Sequence, residues 1–237
     1  MPGMQKAIIG VIIVTTLIVG GVWYWHGGSA QSYNVQIDSR DSIEDWHFQG
    51  SHADGGELEQ RVRDEISRLQ AGLEDEEQEP TDYSLYVGIA GQYTLLGDGE
   101  KTLEYLEKAL AIDSTKTGLA WYNVAVLMER LGALNTARTA YARAVESQGV
   151  DAYHVARLNF LIKYFAEDQE AFKAALAEAE AVYGVDSVFV LQARAQWLEK
   201  LGMTREAITA WNSVRAVVPD EIKPSVDEQI RRLEAKI

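Results

Sequence analysis

The sequence predicts an all-α protein: an α-solenoid of stacked helical hairpins with a period of 35 residues, preceded by one transmembrane helix. Three observations carry this prediction. Residues of matching size and role recur at a fixed step of 35 from Gly97 to Pro219. Between the recurrences, apolar residues fall at the spacings of three and four that define one face of a helix. And the 19 residues from Ala7 to Trp25 contain no charge at all.

Composition sets the outer limits. A chain of 237 residues suits one or two domains, and 47% hydrophobic residues suffice for a core. The absence of cysteine excludes disulfides, thiolate metal sites, cysteine nucleophiles and lipidation at cysteine. Lys and Arg number 22 against 36 Asp and Glu, a net charge of -14. Lys6 is the only charged residue before Asp38, so the rest of the chain is more acidic still. Such a surface repels phosphate backbones, and no nucleic-acid partner is expected.

The elements follow in order. Residues 1–6 form a short tail. Residues 7–25 read as the transmembrane helix, since 19 residues at roughly 1.5 Å each span about 28 Å, close to the hydrocarbon core of a bilayer. Trp23, Tyr24 and Trp25 stand at its end, where amphipathic rings prefer the headgroup level. Lys6 and the α-amino group lie on the other side. The positive-inside tendency then puts the N-terminus in the cytoplasm and the repeat domain outside it, in the periplasm or extracellular space. A signal peptide cleaved near Gly28-Ser29-Ala30 is the competing reading. The apolar stretch is longer than the usual h-region and ends in bulky aromatics, so a retained anchor is favoured.

Residues 26–56 read as a linker, rich in glycine and without a sustained period. Within it "YNVQI" (Tyr33 to Ile37) alternates as a short strand would. His47, His52 and Asp54 fall close together but match no established metal-ligand motif, and a free, solvated loop is expected there. Residues 57–79 change character. Leu58, Val62, Ile66, Leu69 and Leu73 make one apolar helix face, and the acidic run ending in Pro80 closes it.

Residues 83–219 hold four repeats. Gly97 and Gly132 lie 35 apart, and Gly202 lies two further periods on. Ala109, Ala144, Ala179 and Val214 keep the same step, as do Leu106, Tyr141, Leu176 and Trp211, and the structure-punctuating Ser114, Gly149, Gly184 and Pro219. A fixed step of this size points to stacked units, none of which buries its own apolar face alone. In the second unit Trp121, Val124, Ala125 and Met128 form one helix face, Gly132 turns the chain, and Ala137, Tyr141 and Ala144 face inward from the next helix. This pattern, an aromatic, a small residue, a glycine turn and then A-x3-Y-x2-A, resembles the tetratricopeptide repeat. The third unit departs from it at Phe160, Glu167 and Phe172, where small residues are expected, and its first helix is expected to be shifted or tilted. Residues 220–237 read as a capping helix, with Ser225 and Glu228 as a capping box and Val226, Ile230, Leu233 and Ile237 on one face.

No residue pattern points to catalysis, a metal or a cofactor. His154 is the only histidine within the repeats. The spaced glycines of "GIAGQYTLLGDG" fall in a helix and its turn and not between a strand and a helix, so they do not form a phosphate loop. What the family resemblance implies is a concave groove lined by the first helix of each pair. It places Tyr122, Asn123, Val126, Arg130, His154, Arg157, Leu161, Tyr164, Gln192 and Gln196 there. The family's clamp for chaperone tails is matched only at Asn123, with Val87, Gly91, His154 and Leu158 at its other positions, so that ligand is not expected. The architecture is similar to small bacterial envelope proteins with one anchor and a short repeat domain, which implies a scaffold that binds a protein or peptide partner in assembly, folding or secretion. The alternative is a structural subunit of a homo- or hetero-oligomeric assembly at the membrane.

Overall fold

Three glycines set the hairpins. Gly97, Gly132 and Gly202 all take left-handed backbone angles, with φ of 80°, 78° and 73°, a conformation that ends a helix at little cost only for a residue without a Cβ. The computed structural model describes residues 32–73 and 81–237. The expected transmembrane segment, residues 7–25, lies outside the described residues, as does the acidic run at 74–80. Among the described residues no helix is long and apolar enough to cross a membrane.

Residues 34–237 form one unit, and ten helices are found among the described residues: α1 Glu57–Gly72, α2 Asp82–Leu96, α3 Gly99–Ile112, α4 Leu119–Arg130, α5 Leu134–Ser147, α6 Asp151–Tyr164, α7 Gln169–Tyr183, α8 Val188–Lys200, α9 Thr204–Val217 and α10 Lys223–Glu234. They make an all-α helical repeat. The pairs α2–α3, α4–α5 and α8–α9 pack closely as hairpins, and each hairpin stacks on its neighbour. Alanines let the axes approach. Ala109, Ala137, Ala144, Ala179 and Ala207 have no exposed surface. Tyr141 and Trp211 fill the space between units and are also buried. Each donates a hydrogen bond to the glutamate at the end of the preceding helix: Tyr141 Oη to Glu129 at 2.8 Å, Trp211 Nε1 to Glu199 at 3.4 Å. Those glutamates also reach forward, accepting from Lys163 at 3.0 Å and from Arg232, respectively. The same pin thus ties the second unit to the third and the fourth unit to α10.

The third unit is different. Ala120, Trp121, Ala125, Leu127 and Met128 of α4 have buried counterparts at Tyr153, His154, Leu158, Phe160 and Leu161, 33 residues on and not 35. Helix α6 has slipped by two residues. The loop before it holds three residues, 148–150, against six before α4, and the loop after it holds four, 165–168, against three after α4. With α7 the step of 35 resumes, as Phe172, Ala175, Leu176 and Ala179 answer Ala137, Ala140, Tyr141 and Ala144. The slip opens the α6–α7 pair, which packs less closely than the other hairpins, and brings α6 directly onto α8.

At the N-terminal end, α1 lays Val62, Ile66 and Leu69 onto α2, while Leu58 remains exposed. The preceding segment is not the free tether expected. Residues 34–54 form a strap fastened to the first two hairpins. Val35 N–H donates to Glu107 at 2.8 Å, and Asp38 N–H to Thr136 Oγ1 at 2.9 Å. The Asp41 carboxylate accepts from Asn135 N, Asn135 Nδ2, Thr136 N and Thr136 Oγ1 at 2.7–3.1 Å. Further on, Phe48 and His52 donate to the carbonyls of Gly97 and Leu95, and Gly99 donates to that of Trp46. The expected strand at Tyr33 to Ile37 does not form. Among the described residues the only strand-like pairing is an isolated bridge between His47 and Asp98.

Helix α10 also starts earlier than expected. Its cap is Ile222, with a proline in the first turn and no side-chain cap, so the Ser225–Glu228 box is not made. Glu228 pairs with Arg231 instead, at 2.7 Å. Val226, Ile230 and Leu233 are buried, whereas Ile237 is exposed.

Candidate binding surface

Once α6 is aligned with its slip, the first helices correspond residue by residue. Tyr122 and Val126 of α4, Val155 and Asn159 of α6, and Gln192 and Gln196 of α8 occupy equivalent positions. These positions share one face of the first helices. Between α6 and α8 it carries a cleft of about 110 Å³, lined by Val155, Leu158, Asn159, Phe189, Gln192 and Gln196. Three amides, each with two donors and an acceptor, stand there beside apolar side chains. That combination suits an extended main chain with an apolar side chain seated below it.

The face continues past Gln196. Ile162, Gln196, Lys200, Gln229, Arg232 and Lys236 line a second cleft of about 580 Å³, over Trp211 and beside Glu199. Here the lining is cationic, although the chain as a whole is strongly acidic.

The expected site residues divide. Gln192 and Gln196 line the amide cleft, and Gln196 the cationic one too. Asn123 and Val126 are half-buried on α4. Tyr122 stacks on Tyr153, with ring centres 5.4 Å apart, and meets Tyr141 edge-on at 6.2 Å, so its ring also serves packing. Arg130 is exposed, but its guanidinium lies 4.7 Å from the centre of the Phe48 ring, under the strap.

The four expected residues of α6 are moved by the slip. His154 is 3% exposed and Leu161 is 2% exposed, so neither offers an open surface on the first-helix face. His154 occupies the place that Trp121 holds in the second unit, edge-on to Tyr183 with ring centres 5.5 Å apart. Burial depresses its pKa, the positive charge of Arg157 adds to this, and Glu178 opposes it. Its Nε2 has no hydrogen-bond partner. Arg157 turns toward α7, where it donates to Glu178 at 2.5 Å. It lines a separate cleft of about 290 Å³ between α5, α6 and α7, together with Arg138, Phe160 and Leu161. Tyr164 packs on Phe160, ring centres 5.2 Å apart, under the Lys163 ammonium.

The residues that the 35-step alignment passed over are Val155, Asn159, Phe189, Lys200, Arg232 and Lys236. A signal for the first two existed in the sequence. On a 35-residue grid the core positions of Val124, Ala125 and Met128 fall on Asn159, Phe160 and Lys163, which sets an amide and an ammonium in the core, whereas a shift of two brings Leu158 and Leu161 to the places of Ala125 and Met128 instead.

Among the described residues no group of three or more histidine and carboxylate side chains could hold a metal ion. His47 sits 3.4 Å from Asp45, and His52 Nδ1 lies 2.8 Å from Ser51 Oγ. Comparison with known proteins finds no family model that matches this chain and no curated protein that matches it.

Proposed function

We propose that this protein is a membrane-anchored scaffold of the tetratricopeptide type, which holds a protein or peptide partner on its first-helix face. The observation that supports this is the line Val155, Asn159, Gln192, Gln196: amides and an apolar floor at one face of consecutive first helices, bordering a cleft. Amide side chains satisfy the hydrogen-bonding groups of an extended chain whatever its sequence, and the adjoining apolar residues supply a pocket for one of its side chains. The uncharged stretch at residues 7–25 is long enough to span a bilayer and would keep the repeats near the membrane, outside the cytoplasm, for work in envelope assembly, folding or secretion.

The test uses the full chain in intact membranes. The chain is expected to resist extraction by alkaline carbonate. A photoreactive residue in place of Asn159 or Gln192 is expected to yield adducts with a partner protein, and one in place of the exposed Thr139, on the second-helix side, is not. Adducts from Thr139 alone would overturn the assignment of the face. Adducts only between copies of the chain would favour the structural-subunit reading.

A further inference from the structure

We propose that the C-terminal end of the first-helix face, between α8 and α10, recognises the acidic part of a partner peptide. The inference rests on the reading that this face receives a peptide, and it names the chemistry of that peptide.

Three cations, Lys200, Arg232 and Lys236, converge on the cleft of about 580 Å³. Its single lining carboxylate, Glu199, is already committed. Arg232 donates to one of its oxygens and Trp211 Nε1 to the other. Lys200 and Lys236 form no ion pair within the described residues. Lys101, Lys108, Lys163 and Lys223 each meet a carboxylate, whereas Lys116 and Lys173, like Lys200 and Lys236, form no ion pair within the described residues. What sets Lys200 and Lys236 apart is that both face one cleft beside Arg232, and the only carboxylate lining that cleft already accepts from Arg232, a local reversal of the protein's charge.

Complementary charge fixes the register and the approach of a partner more than it adds raw affinity. The rest of the protein repels acidic chains, so a carboxylate-rich segment is favoured only where these cations outweigh the surrounding field. The geometry then gives the peptide a direction. Gln196 belongs to both clefts. An uncharged stretch with one apolar side chain fits against Val155, Leu158 and Phe189, held by Asn159 and Gln192. The acidic stretch continues past Gln196 onto Lys200, Arg232 and Lys236.

The experiment uses the full chain in detergent micelles and fluorescence anisotropy. The probe is a short fluorescein-labelled peptide, uncharged with one phenylalanine in its first half and rich in glutamate in its second. Saturable binding that weakens as salt rises is expected. The double variant Lys200→Glu with Lys236→Glu should lose about tenfold or more in affinity and should gain binding to the same peptide with lysine in place of glutamate. Both positions are exposed or at a helix end, and an unchanged circular dichroism spectrum checks that the variant folds. Equal binding of the acidic peptide by parent and variant, or tighter binding of a single-stranded oligonucleotide than of the peptide, overturns the inference. If this happens while a photoreactive residue at position 192 still captures a partner, the scaffold reading stands alone. If neither peptide nor partner is bound, both fall.

Discussion

Asp41 shows how much one side chain does. Helix α5 begins without a cap of its own, because Ala133 stands at the cap position, whereas α3 and α7 are capped by Asp98 and Asp168. Asp41 arrives from the strap and supplies the missing acceptor, bonding to the backbone N–H groups of Asn135 and Thr136. Burial by itself would raise its carboxyl pKa, but the hydrogen bonds from Asn135 and Thr136 outweigh burial and hold it below the usual range. Losing a helix cap of this kind costs about 0.5–2 kcal/mol. Asp41→Ala is expected to fall at the upper end, since two side-chain bonds go with the two backbone ones. The sign with pH follows from the depressed value. The stabilisation is complete above the ordinary carboxylate value of about 4 and is lost as pH falls through the lower folded value. Denaturant titrations of parent and Asp41→Ala should therefore give a constant gap between pH 5 and 8 and a shrinking one below about pH 4. A gap that does not change on acidification would show that the carboxylate is not what holds the strap.

At the scale of the element, helix α6 explains what the sequence could and could not yield. The repeat step was legible because alanines, aromatics and glycines recur where two axes must approach and where the chain must turn. The slip of α6 was not, because the loops on either side compensate for it. Gly149 and Gly184 stay 35 residues apart while the helix between them moves by two. A grid anchored on the turns therefore assigned His154 and Leu161 to a surface from which they are buried, and missed Val155 and Asn159. The slip has a thermodynamic signature. His154 now fills the place of a tryptophan, with an unpartnered Nε2 and a pKa lowered first by burial and then by Arg157. A histidine depressed in the folded state leaves the protein at full stability above its ordinary pKa of about 6.5, and stability falls as pH drops below that toward the folded value. His154→Phe keeps the ring and removes the titration. At pH 8 it should lie within about 1.5 kcal/mol of the parent, as similar-volume core substitutions do. Between pH 7 and 5 the parent's Tm should fall further than the variant's. Parallel curves would mean that α6 does not hold its histidine neutral.

At the scale of the whole repeat domain, the strap changes what the first half of the stack is. Stacked units ordinarily hold together through nearest-neighbour contacts alone. Here residues 34–54 add a second connection, bonding to Glu107 on α3, to the start of α5 and to the turn between α2 and α3. No periodicity announces such a segment, because its attachments are backbone groups and one carboxylate. That is why it read as a loop. Two glycines of the same repeat separate the strap's contribution from that of the turn itself. Gly97 and Gly132 have nearly the same left-handed φ, 80° and 78°. A Cβ at Gly132 would meet nothing within 4 Å, whereas one at Gly97 would lie 1.9 Å from the Phe48 carbonyl oxygen and 2.8 Å from Gly50 N. Gly132→Ala should therefore cost only the left-handed penalty, about 1–2 kcal/mol. Gly97→Ala should cost that and also expel the strap. Hydrogen exchange distinguishes the two. The amides of Phe48 and His52, which donate to Gly97 and Leu95, should lose protection in Gly97→Ala and keep it in Gly132→Ala. Equal protection in both variants would mean that the strap is not held by its approach to the Gly97 turn.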